Sequence, residues 1–326
     1  MADELGSDLR ASVDEPLSDM VLASDVLIQL IERRIRLVHS VGGDAPLGLM
    51  LSGGVDSILV AACAVRVGFG PSAVTVVTAG PGGARIASDD ERASVVAAHL
   101  GIGHKLVRML PEEVLATAKE SVRRLGVSEM WEVTSAIPLL SAMRMLDQMG
   151  AAGPALAGSG ADALFLGGYR LAASPTSPEA VHELRNRILT GVRRQFIRDR
   201  LVPDYDERLL GQAANRFVRI FQTRSFWEFA QSIHPSLLWR QGPDGKLYDK
   251  FLLRFTAERL GIPAPLVFTE KSPIQMSSGT VAALLHCARE DLAQHPANRS
   301  YADPMIEPTE HTAVRLFLDR LAQAGE

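Results

Sequence analysis

Apolar residues at Val21, Leu22, Leu27, Ile28, Ile31, Ile35 and Val38 recur at three- and four-residue spacing, which predicts an amphipathic helix over residues 18–39. Gly42-Gly43-Asp44 ends that helix. A short apolar run over 46–51 predicts a first strand, followed by a helix over 56–67 and a β-branched second strand over 73–78. Ser88-Asp89-Asp90-Glu91 reads as a capping box opening a helix that runs to Leu100. A third strand is predicted over 104–108, Pro111 begins another helix, and a helix over 134–149 leads to a strand at 155–157. Strand and helix alternate throughout, so the strands are expected to lie parallel in a doubly wound sheet with helices on both faces.

Beyond about Arg170 the pattern changes. Ser174-Pro175-Thr176-Ser177-Pro178 reads as a loop, and the residues after it read as helices without a convincing strand. Three regions follow: a polar, acidic leader over 1–17 expected to be disordered, an α/β domain over 18–170, and a helical lobe over 171–326.

Composition narrows the function classes. A formal charge of −4 on 326 residues creates no long-range field toward nucleic acid or anionic lipid. No apolar stretch reaches the roughly 18 residues of a membrane helix, and the leader has neither the basic nor the apolar region of a signal peptide. Cys63 and Cys287 show no disulfide or metal-site spacing. A cytoplasmic protein is expected, with no membrane partner, and the charge does not favour a nucleic-acid partner. The histidines show no metal-ligand spacing either, and Trp131, Trp227 and Trp239 are expected in the core.

The sharpest local signal is Leu51-Ser52-Gly53-Gly54-Val55-Asp56-Ser57, between a predicted strand and a predicted helix. Two glycines let the backbone turn tightly and bring bare N–H groups against an anion. The helix N-terminus adds partial positive charge, and Ser52 and Ser57 offer hydroxyl donors. Asp56 would repel a bare phosphate, so its presence makes chemical sense if it holds Mg²⁺ that bridges the phosphates. No Gly-Lys-Ser/Thr follows, which excludes a Walker loop.

Ser-Gly-Gly-x-Asp-Ser resembles the signature of the PP-loop ATP pyrophosphatases, which cleave ATP between the α- and β-phosphates. A second motif, Gly158-Ser159-Gly160-Ala161-Asp162-Ala163-Leu164-Phe165-Leu166-Gly167-Gly168-Tyr169, is similar to an element of asparagine synthetases and the related β-lactam synthetases. The segment from Ser88 to His104 and the first helix with Arg33 and Arg34 extend the likeness, which spans about 20 to 285. The resemblance implies a doubly wound parallel sheet of five strands, of the adenine nucleotide alpha hydrolase type, with a C-terminal helical lobe. It implies an ATP-dependent ligase that adenylates a substrate carboxylate and passes the acyl group to ammonia or another amine. Expected cofactors are ATP and Mg²⁺. Main-chain groups near Met50, Ala79, Ala157 and Gly158 would hold the adenosine, the Ser52–Ser57 nest with Gly53 and Gly54 would hold the pyrophosphate, and Asp56 and Asp162 would hold the metal. Lys271, in a Pro/Ser/Gly-rich loop, matches the family's lysine that contacts the phosphates. Glu129 and Glu132 fall where the family lines its acyl pocket, though solvated loop carboxylates would read the same.

The sequence departs from the family in three places. Ser159 stands where asparagine synthetases carry a glutamate thought to deprotonate ammonia, and serine has no useful basicity near neutral pH. Leu166 replaces a family glycine. Ala2 follows Met1, where a glutaminase domain would begin with a nucleophilic cysteine, so the expected amine is ammonia, a substrate amine, or ammonia from a partner subunit. Two other classes stay open: a tRNA-modifying enzyme, for which Arg185, Arg187, Arg193, Arg194, Arg198 and Arg200 would form a basic face, and a catalytically altered ATP-binding or partner-binding module.

Overall fold

The computed structural model describes residues 15–79, 89–196, 201–269, 274–294 and 310–323. In chain order the elements are α1 (Met20–Gly42), β1 (Gly48–Met50), α2 (Val55–Arg66), β2 (Ser72–Thr78), α3 (Asp89–Leu100), β3 (His104–Met109), α4 (Pro111–Leu125), α5 (Met130–Gln148), β4 (Ala155–Ala157), α6 (Ala161–Phe165), α7 (Pro178–Phe196) and α8 (Tyr205–Leu210). There follow β5 (Phe217–Arg219), α9 (Arg224–Ser232), β6 (Arg240–Gln241), β7 (Leu247–Tyr248), α10 (Phe251–Arg259), α11 (Ala264–Val267), α12 (Ile274–Ser277), α13 (Thr280–Gln294) and α14 (Glu310–Gln323).

Five strands form a parallel sheet in the order β3-β2-β1-β4-β5. The five strands are those the family resemblance implied, but the fifth lies after residue 170, where the residue pattern showed no convincing strand. Three residues of intermediate burial at a sheet edge leave too short a pattern to detect. β6 and β7 add a small antiparallel hairpin from the same half. At the end of the expected leader the chain touches the fold. Leu17 bridges to Ile233, donating its N–H to Ser232 O at 2.7 Å. Residues 1–14 lie outside the described residues.

Both faces of the sheet are covered, as parallel sheets require. Alternate residues of one strand serve opposite cores: Ala73 joins the cluster built from α1, α2, α9 and α10, while Val74 joins the cluster built from α4, α5, α13 and α14. α2 is central, with Val55 and every residue from Ser57 to Ala64 buried. Trp227 and Trp239 are in the core as expected, but Trp131 is 38% exposed at the start of α5.

Both thiols are inside. Burial pushes the Cys63 thiol far up, with a further push from the charge of Glu32, and burial likewise raises Cys287, followed by the charge of Glu290. A thiol-exchange reagent at mildly alkaline pH is therefore expected to leave the folded chain unlabelled and to modify both cysteines only after denaturation. Rapid labelling in the folded state would show that these helices open readily.

Candidate active site

The strand order reverses direction between β1 and β4, and in open α/β sheets ligands bind outside the carboxyl ends of the strands at such a point. Both glycine-rich turns sit there. β1 leads into Ser52–Gly54, where Gly53 adopts φ +75°, a conformation open to glycine. The two serines knit the turn together. Ser57 Oγ donates to Gly54 O at 3.0 Å and accepts the Ser52 N–H at 3.1 Å, and the two hydroxyls lie 3.1 Å apart. In this geometry Ser57 shapes the nest from within instead of donating outward. Arg92 on α3 braces it from outside, donating to Gly53 O at 3.2 Å. Ser88, expected to cap α3, lies outside the described residues.

β4 delivers the second turn directly against the first. A Cβ on Gly158 would stand 2.7 Å from Ser57 N and 2.8 Å from the Asp56 carbonyl carbon, so only glycine permits this approach. Gly160 then takes φ +102° and α6 begins, placing Asp162 in its first turn. Leu166, which ends α6, is buried at φ +49°. A glycine would take this left-handed conformation without penalty, whereas a leucine pays roughly 1 kcal/mol and needs its buried surroundings to hold it.

Asp56 and Asp162 do come together, and the group between them is a lysine. Lys250, at the N-terminus of α10, places Nζ 2.8 and 2.6 Å from the two oxygens of Asp56 and also contacts Asp162 Oδ1. It is 2% exposed. Burial works against its charge, but the charge of Asp162, then that of Asp56, and hydrogen bonds to both outweigh it and raise the ammonium's pKa. The sequence reading passed over this residue. A signal was present: lysine is rare, and Asp249, Lys250 and Arg254 interrupt an apolar run at Phe251-Leu252-Leu253. Lys271, the lysine singled out instead, lies outside the described residues.

Convergence of two carboxylates on one cation-sized position suits a divalent metal as well. Among the described residues no group of three or more His, Cys, Asp or Glu could hold a metal ion. Mg²⁺ commonly takes one or two carboxylates plus substrate phosphates, so Asp56 and Asp162 fit a metal that arrives with a nucleotide.

One observation fixes the lineage: the sequence model of the asparagine synthase family matches residues 34–219, more than half of the chain and both turns. The chain belongs to the asparagine synthase family. Its membership makes it an ATP-utilising synthetase of the PP-loop type. No curated protein matches the sequence. Among solved structures, it is similar to the NH3-dependent NAD synthetase from Campylobacter jejuni in complex with nitrate, at 13% identity, covering 95% of this chain and 97% of that one, with a TM-score of 0.37. It is also similar to the NMN synthetase from Francisella tularensis, at 17% identity, covering 64% of this chain and 93% of that one, with a TM-score of 0.33. Scores of this size add nothing to the family assignment.

In this asparagine synthase-family chain the positions expected to hold adenosine line the carboxyl edge unequally. The Ala79 N–H is engaged by Met109 O at 2.9 Å, and Ala157 O already accepts the Ile220 N–H at 3.1 Å. Met50 pairs with Val74 and Ala157 in the sheet. Ser159 is exposed beside Gly158.

Glu129 and Glu132, the two carboxylates expected at an acyl pocket, lie at the start of α5. Leu146 packs against Gly48 at the start of β1, and the Ser141 hydroxyl meets Met109 Sδ at the end of β3, so the helix runs past the edge toward its own N-terminus. Its first three turns, roughly 15 Å, therefore extend beyond the carboxyl edge of the sheet. Glu129 caps this helix by accepting the Trp131 N–H at 2.9 Å, a structural use of one of the two candidate carboxylates. The Glu132 carbonyl accepts the Tyr205 hydroxyl at 2.9 Å.

On α7 only part of the basic stretch turns inward: half-buried Arg185 donates to Gln231 O at 3.1 Å, while exposed Arg187 pairs along the helix with Glu183 at 2.9 Å. Arg193 and Arg194 are exposed, and Arg198 and Arg200 lie outside the described residues. No helix among the described residues is long and apolar enough to cross a membrane.

Proposed function

We propose that this chain activates a substrate carboxylate with ATP, releases pyrophosphate, and transfers the acyl group to ammonia or an amine to form an amide or lactam. The observation that carries the reading is the meeting of Asp56 and Asp162, from separate turns at the sheet's switch point, on one shared cation position. The carboxylate oxygen attacks the α-phosphorus of ATP, the α–β bridging bond breaks, and pyrophosphate leaves. The amine nitrogen then attacks the acyl carbon, loses a proton, and expels AMP. The nest of Ser52–Ser57 and the N-terminus of α2 hold the departing diphosphate through N–H groups and partial positive charge. Mg²⁺, held by Asp56 and Asp162, would neutralise charge building on that diphosphate. Lys250, which bridges the two carboxylates when no metal is bound, would shift toward the phosphates as the metal enters and add its charge beside it, and Lys271 is assigned the family's phosphate contact. Ser159 offers no base, so the amine proton passes to water, phosphate or another carboxylate. Two buried free thiols suit the reducing cytoplasm.

With ATP labelled in the α- and γ-phosphates and a panel of carboxylic acids, AMP and pyrophosphate are expected as the nucleotide products when the right acid is present. Formation of ADP and orthophosphate in their place would overturn the proposal.

A further inference from the structure

Lys250 reaches the two carboxylates from an unusual backbone. Its φ of +49° and ψ of +34° put a non-glycine residue in the left-handed region, a conformation that persists only where surrounding contacts hold it. Those contacts come from its neighbours on either side. Arg254, itself 2% exposed, donates Nε to Asp249 O at 2.8 Å and Nη2 to Asp249 Oδ1 at 2.9 Å. Its Nη1 donates to Thr269 O at 3.0 Å and to Val267 O. Its guanidinium carbon lies 5.0 Å over the Tyr248 ring. The other oxygen of Asp249 accepts the Gly168 N–H at 2.6 Å, beyond the end of α6. One ion pair thus joins three segments: the turn that carries Lys250, the chain after α11, and the glycines that follow Asp162's helix.

We propose that the Asp249–Arg254 pair is a positioning device, which holds Lys250 in its left-handed turn and so keeps one ammonium in reach of both Asp56 and Asp162. Neither residue contacts those carboxylates; each acts through Lys250. The planar guanidinium fork is required because four acceptors on two segments are met by one rigid group, and a lysine's point charge cannot span them. The consequence for catalysis rests on the adenylation reading above, but the placement of Lys250 does not.

The test is therefore read first without turnover. Folded protein is treated with an amine-acylating reagent at mildly alkaline pH, and modification at Lys250 is quantified by peptide mass spectrometry. In the native chain Lys250 is expected to be protected. In Arg254→Lys, and separately in Asp249→Asn, its labelling is expected to rise about ten-fold or more while circular dichroism stays native, because the turn opens locally. Arg259→Gln, on the same helix as Arg254, removes a surface pair with Asp25 of α1; it is the control and should leave Lys250 protected. Native protection of Lys250 in a folded Arg254→Lys chain would overturn the proposal. If that variant does not fold, the same outcome in Asp249→Asn overturns it. Pyrophosphate exchange is the second readout: the two variants should lose kcat by about ten- to a hundred-fold with KM for ATP nearly unchanged, the split expected when a group acting in the transition state is misplaced. Native chain that labels as expected but catalyses no exchange with any acid would instead refute the adenylation reading and leave the positioning role standing.

Discussion

Lys250→Met is expected to reduce ATP–pyrophosphate exchange by about 10²- to 10³-fold, the usual cost of losing one preorganised charged donor. The same change removes the cation from between two carboxylates and leaves like charges facing each other. Breaking a fully buried pair costs about 3–5 kcal/mol, but Asp56 is 21% and Asp162 43% exposed, and water reaches them. A loss nearer 2 kcal/mol is therefore expected, read as a lower denaturant midpoint with unchanged slope. Adding Asp162→Asn to the variant should restore part of that stability, because one of the opposed charges is gone. The pH dependence has a definite sign. The folded-state pKa of Lys250 is raised, so its contribution is fully present below the ordinary lysine range and fades only as pH climbs through the raised value. From roughly pH 6 to 9 the stability gap between native and variant chains should stay constant. A folded Lys250→Met chain with native exchange would remove Lys250 from the chemistry.

Gly158→Ala should be as damaging for a different reason. Its methyl group would meet Ser57 N at 2.7 Å, the Asp56 carbonyl carbon at 2.8 Å and Asp56 Cβ at 3.0 Å. These atoms belong to the first turn of a largely buried helix, so they cannot swing aside as a flexible side chain would. Either α2 or the second turn must shift. The expected cost is about 1–3 kcal/mol in stability, from overpacking. A misplacement of under an ångström between the two carboxylates is also expected to lower exchange by about a hundred-fold. Gly70→Ala is the matched control, since nothing stands within 4 Å of its Cβ position and its φ is not positive. Native exchange in Gly158→Ala would mean that the separation of the two turns does not matter.

Local patterns carried much of the fold. Helical spacing and β-branched runs located α1, α2 and the first four strands within a few residues, because each signal is complete within its own segment. The two glycine turns were legible for the same reason. Where the sequence reading fell short, the information was distant or slight. β5 is three residues at an edge, and it is recognisable as a strand only once β4 lies beside it. Lys250 finds Asp56 across 194 positions, and no periodicity reports a contact of that kind. Glu129 was read as an acyl-pocket or solvated loop carboxylate, and its cap of α5 depends on a backbone geometry that composition does not encode.

The rims of the sheet bear on how this chain behaves in a crowded solution. An open strand offers unpaired N–H and C=O groups to any neighbour, and natural proteins blunt such rims with brevity and lysine or arginine. Here one rim, β5, is three residues long and ends in Arg219, with Arg216 just before it; the other, β3, carries Lys105 and Arg108. The arginines are tied back into the fold, Arg219 to Asp206, Arg216 to Asp147 and Arg108 to Asp90, so long, anchored side chains stand along both rims, and together with the brevity of β5 they leave little flat edge for another molecule's strand to join.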